Sequence, residues 1–197
     1  LIAGLHDETH RITIPGFYDD VRDLTPEERD TYANLPFNEE AWMDAIGIEA
    51  VRTEGDYTTL EGLTARPTLD VNGIWGGYTG EGAKTVLPSK AHAKLSMRLV
   101  PDQKVEDIYD KLEAHLEHEV PDTMSYTMRR LHGGDPVLVD PSIPPMQAAK
   151  DAMEEVMGTE PVFVRNGGTI PVVADFQDTL GLDSVLMGFG LDSDAIH

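Results

Sequence analysis

The sequence predicts an α+β layer, an antiparallel sheet with helices on one face, followed by part of an α/β domain. Three observations carry this expectation. Ala91, Ala93, Leu95, Met97 and Leu99 alternate with His92, Lys94, Ser96, Arg98 and Val100, the period-two pattern of a half-buried strand. Val105, Ile108, Tyr109, Leu112 and Leu116 then follow helical spacing and make one apolar stripe. Further on, short apolar runs at 161–164 and 184–189 lie on either side of glycine- and proline-marked turns, which suits the buried parallel strands of an α/β sheet.

Taken in order, Leu1 to Leu5 reads as the end of a helix. Thr25-Pro26-Glu27-Glu28 is a helix start, with Thr25 as N-cap, Pro26 at the first position and Glu28 closing a capping box. Asn38 ahead of Glu39-Glu40-Ala41-Trp42 marks a second start. The rest of residues 1–66 is irregular and acidic. Thr68 to Trp75 is a strand interrupted by Gly73, and Gly76, Gly77, Gly80 and Gly82 open a loop. Pro101-Asp102 ends the next strand and caps the helix after it. Met124 to Leu131 is a further strand, broken by His132-Gly133-Gly134. Ser142, Pro144 and Pro145 open a helix that Gly158 closes. The change of character places a domain boundary near residues 134–142.

Composition excludes more than it identifies. The chain has 197 residues and no cysteine, which rules out disulfides, thiolate metal sites and thiol catalysis. Any metal must be held by His, Asp and Glu, a donor set suited to zinc or a similar ion. A net charge of -21 repels phosphate backbones and anionic bilayers, so neither nucleic acid nor membrane is expected as a partner. No apolar run reaches the ~20 residues of a membrane span, and the start does not read as a signal peptide. A cytoplasmic protein is the expectation.

Two loops invite chemistry. Arg165-Asn166-Gly167-Gly168-Thr169-Ile170-Pro171 combines a cation, two glycines and a hydroxyl after an apolar run. Such a turn can grip a carboxylate, and it can equally be a plain turn with a surface arginine. Asp192 to His197 places a histidine among carboxylates, a metal ligand, a general base or neither. Arg98 stands on a polar strand face with His92 and Lys94, a row that solvent alone can explain. His115 and His118, flanked by Glu113, Glu117 and Glu119, read as a hydrated helix surface, as do His6 and His10.

Several segments together resemble the carnosinase and cytosolic dipeptidase branch of the aminoacylase–carboxypeptidase metallopeptidases. They are Gly80-Glu81-Gly82-Ala83-Lys84-Thr85-Val86-Leu87-Pro88, Ser96-Met97-Arg98-Leu99-Val100-Pro101-Asp102, His132-Gly133-Gly134, the Arg165–Pro171 turn and Asp194-Ala195-Ile196-His197. The resemblance covers roughly residues 67–197. It implies a lid or dimerisation domain over residues 1–135, with an antiparallel sheet and two helices on one face. Residues 136–197 would be a C-terminal portion of the catalytic domain.

The resemblance also implies two zinc ions, with manganese or cobalt as alternatives, a homodimer formed through the lid, and a short peptide substrate with a free carboxylate. On motif position it assigns His197 as a metal ligand and Thr85, Arg98, His132 and Thr169 as substrate-binding residues. Arg98 would take the substrate carboxylate, and Arg165 would hold the turn or touch the ligand. A deacylase of N-acyl amino acids and a non-catalytic dimerisation module are the alternatives. The family's upstream His-x-Asp pair, Glu-Glu pair and further Asp are not recognisable here. The chain is therefore expected to be truncated at both ends, to hold no catalytic residue of its own and to be inactive alone. Strands of the 136–197 portion without sheet neighbours would expose apolar faces.

Overall fold

An antiparallel hairpin joins β1 (Thr68–Gly76) to β2 (Ala91–Arg98), in register from Thr68 opposite Arg98 to Gly76 opposite Ala91. The register shifts between Val71 and Gly73, a bulge at the glycine that interrupts the strand pattern. The computed structural model describes residues 1–166 and 171–190. Around the hairpin, α1 (Pro26–Ala33), α2 (Glu39–Ile46) and α3 (Thr59–Ala65) precede it in the chain. Helices α4 (Val105–Glu119), α5 (Pro144–Met157) and α6 (Pro171–Leu180) follow it.

Two strands cannot bury a face by themselves. The missing half comes from the N-terminal segment: Leu5, Ile12, Ile14 and Phe17 form one core with Leu69 of β1 and Ile108 and Leu112 of α4. Leu95, Met97 and Leu99 pack onto it, as the alternation requires. Only the Arg98 end of the hairpin is covered in this way, because Ile74, Trp75 and His92 at the other end are exposed. A smaller cluster of Leu24, Tyr32 and Ala65 joins α1 to α3. The N-terminus, read as a helix end over Leu1 to Leu5, holds a short 3-10 turn at Ile2–Gly4, and residues 1–18 supply the largest share of this core.

Gln103 locks the layers together. Its side-chain amide donates to the Phe17 carbonyl (2.9 Å) and its oxygen accepts from the Val100 amide (3.0 Å), with the residue 1 % exposed. Both backbone groups are thereby satisfied in a dry interior.

Several expected elements are formed otherwise. Asp102 does not cap α4: it takes a left-handed conformation (φ 77°), and its carboxylate accepts two hydrogen bonds from Arg22. The first turn of α4 is capped from 30 residues downstream, where Asp135 accepts from the Val105 amide (2.9 Å) and from Lys104 Nζ (3.0 Å). Segment 124–131, expected as a strand, joins no ladder among the described residues. It is held to α4 through side chains, with Arg130 paired to Glu106, Asp110 and Glu113 and Tyr126 Oη donating to the Glu113 carbonyl. The sheet thus has two strands among the described residues, and only α4 packs in the hairpin's core cluster.

Segments 161–164 and 184–189 are not strands either, and Val162, Phe163, Val164, Leu186, Met187 and Phe189 stand exposed. Parallel strands need neighbours for their hydrogen bonds, and no described segment pairs with these two. Helix α5 matches its proline and glycine signals, whereas α3 and α6 were not anticipated. Among the described residues no helix is long and apolar enough to cross a membrane.

Replacing Gln103 by leucine strands the Phe17 carbonyl and the Val100 amide in the core. It should lower stability by about 2–4 kcal/mol, read from the urea unfolding midpoint at unchanged m-value.

Candidate functional site

The end of the hairpin where β2 passes into α4 carries two of the residues that the sequence singled out, Arg98 and His132. Arg98 is the last residue of β2, exposed, opposite Thr68. His132 is brought near the same end because its loop is pinned to the start of α4. The Asp135 cap holds one side of that loop, and Tyr109 Oη donates to the His132 carbonyl (3.3 Å). Gly133 lies directly against Val105, and a Cβ there would fall 2.6 Å from a valine methyl, so only glycine permits this approach. Burial raises the Asp135 carboxyl, but hydrogen bonds from the Val105 amide and Lys104 and the lysine charge outweigh it, and the net shift is downward. The hydrogen bond to Asp135 and that carboxylate's charge hold the Lys104 ammonium above its usual range, with a smaller contribution from Asp178 of α6.

Thr85 is not part of this gathering. It lies in the exposed loop 77–90 at the far end of the hairpin, where Lys84 stacks on the Tyr78 ring (5.3 Å). Ala91 and Arg98 are seven residue steps apart along β2, a rise of roughly 23 Å. Thr169 and His197 lie outside the described residues. Among the described residues no group of three or more His, Asp or Glu side chains is placed to hold a metal ion. Surface depressions of about 280 and 370 Å³ exist, but neither is lined by Thr85, Arg98 or His132.

Arg165 has turned inward, away from the surface role left open for it. Its side chain is 7 % exposed. Nε and Nη2 donate to the two oxygens of Glu28 (2.8 and 2.7 Å), while Nη1 and Nη2 donate to the carbonyls of Arg22 and Asp23. The Arg165 amide donates to Tyr32 Oη (3.1 Å), and Thr64 Oγ1 donates to that same oxygen. Glu28 meanwhile completes the α1 capping box by accepting from the Thr25 amide. Sequence reasoning found the capping box but not its second duty, because nothing local ties residue 28 to residue 165. Tyr32 and Asp135 were missed for the same reason.

The class that this arrangement defines is a hairpin-and-helix lid carrying an arginine at its rim, joined by a part-buried ion pair to a segment of different character. A family description of the peptidase dimerisation domain matches residues 1–124, and the chain belongs to that family. It is 32% identical over 200 residues to a Cys-Gly metallodipeptidase of Candida albicans, covering all of this chain and 41% of that protein. It is also 32% identical to the Beta-Ala-His dipeptidase of Homo sapiens, covering 39% of it. Among solved structures, an M20 family metallo-carboxypeptidase from Sulfolobus solfataricus superposes with a TM-score of 0.79 at 32% identity, over 91% of this chain and 46% of that one. The chain thus spans about two fifths of the length of the curated relatives it matches.

Burial raises the Glu28 carboxyl, but hydrogen bonds from Arg165 and Thr25 and the arginine's charge leave it below its ordinary value. A depressed carboxyl contributes stability that is present above its unfolded-state pKa of about 4.3 and lost as pH falls through the folded-state value. Glu28→Gln should therefore flatten the acid limb of stability below about pH 4.3, measured as urea midpoint against pH.

Proposed function

We propose that this chain is the lid and part of the catalytic domain of a divalent-metal dipeptidase that hydrolyses short peptides with a free carboxylate. The observation that carries the proposal is Arg98 at the exposed end of β2, in a chain matched along its whole length by metallodipeptidases. A guanidinium at that rim is a bidentate receptor for a carboxylate. In this reading residues 1–135 are the lid and 136–197 the return into the catalytic domain, with Thr169 binding substrate and His197 a metal ligand. Two zinc ions, or manganese or cobalt, would polarise the scissile carbonyl and activate water in the intact enzyme. The described residues supply no such cluster; their share of the chemistry is to bind and orient the substrate carboxylate.

The separation of Thr85 from Arg98 gives the dimer a role in the same proposal. Both bind substrate only if Thr85 serves the site of a second copy, as a homodimer paired through the lid would allow. A cytoplasmic setting completes the proposal, tested by cell fractionation.

The full-length parent, loaded with zinc or manganese, should hydrolyse Cys-Gly or β-Ala-His in a chelator-sensitive way. The 197-residue chain alone should show no such turnover, and chelator-sensitive hydrolysis by it would overturn the assignment. Arg98→Ala in the parent should raise KM by about 10–100-fold, the worth of a charge-assisted hydrogen bond of ~1.5–3 kcal/mol. Unchanged KM would remove Arg98 from the site. Sedimentation at micromolar concentration should give a dimer.

A further inference from the structure

We propose that Arg165 is a positioning residue: by clamping Glu28 and the Arg22–Asp23 backbone, it fixes the strand end bearing Arg98 relative to the C-terminal portion of the chain. The inference rests on the dipeptidase reading above.

The clamp is built from both sides of residue 165. The guanidinium places four hydrogen bonds on Glu28, Arg22 and Asp23, and the backbone amide is held by Tyr32, itself fixed by Thr64. From there the contacts lead to Arg98. Arg22 accepts from Arg165 at its carbonyl, donates from its amide to the Pro101 carbonyl (3.4 Å), and grips Asp102 with its own guanidinium (2.7 and 2.9 Å). Asp102 lies four residues beyond Arg98. One residue, Arg22, thus touches the C-terminal segment with its backbone and the end of the β2 turn with both backbone and side chain.

Stability alone does not call for this design. An ion pair buried on its arginine side is costly to desolvate there, and a well-packed apolar pair often holds a fold as firmly. What a planar five-donor fork supplies beyond an apolar contact is direction, and a lysine cannot reproduce it. Direction matters if a carboxylate held by Arg98 must meet groups carried by the C-terminal portion, since a displacement near 1 Å can cost about 100-fold in rate.

The test uses the full-length metal-loaded parent and a matched pair of dipeptides, one with a free C-terminal carboxylate and one with a C-terminal amide. Arg165→Lys and Arg165→Gln should raise KM for the free acid by about 10–100-fold and move the amide by less than about threefold. Arg98→Ala should abolish that difference, and the Arg98→Ala/Arg165→Gln double variant should lose no further acid-over-amide preference. Equal losses on both substrates, or a fall in kcat alone from less folded enzyme, would reduce Arg165 to a structural residue and overturn the proposal. If Arg165→Gln does not fold, Glu28→Gln carries the same comparison. Should the wild-type parent cleave neither substrate, the dipeptidase reading fails, and amide hydrogen exchange decides the positioning claim. Faster exchange at residues 22 and 103 in Arg165→Lys, with the hairpin amides unchanged, supports it. Unchanged exchange at those residues sinks it.

Discussion

A hairpin of two strands has one face to bury and no sheet behind it, and that shortage organises the lid. Helix α4 covers part of the face, and the N-terminal segment must supply the remainder through Leu5, Ile12, Ile14 and Phe17. Gln103 makes the arrangement specific, because its amide is the one partner offered to both the Phe17 carbonyl and the Val100 amide. Hydrophobic contact brings the segment to the hairpin, and the buried amide fixes its depth and register. The uncovered half of the hairpin extends beyond this body. Its exposed Ile74 and Trp75 side chains are the kind of surface that a dimerisation domain presents.

What could be read from the sequence was whatever is encoded within a few residues. The Thr25–Glu28 capping box, the alternation of β2, the stripe of α4 and the Pro144 and Gly158 limits of α5 all have short-range causes, and all appear in the structure. Helix α3 carries the same short-range signature in Thr58 and Glu61. The misplaced strands fail for a different reason. An apolar run of four to six residues shows that burial is wanted, not what will provide it. Residues 161–164 and 184–189 have no paired neighbour among the described residues, while 124–131 is held by side-chain contacts to α4.

The site divides along the same line. Arg98 was legible because strand alternation dictates its face, and its position at the rim follows from the hairpin register. The inward turn of Arg165 was not, since its partners are separated from it by more than a hundred residues. A surface arginine and a buried clamp look identical in a string of letters, and only the approach of α1 decides between them.

The cap on α4 has a consequence in time as well as in space. A helix normally finds its N-cap in the residue that precedes it, so its first turn can settle as soon as it is made. Here the capping carboxylate belongs to Asp135, thirty residues later. During synthesis the helix leaves the ribosome with its leading amides open to water, and it waits for the chain to pass through the Met124–Leu131 segment and fold back over Gly133. Completion of the lid is therefore tied to the arrival of the very segment that leads out of it.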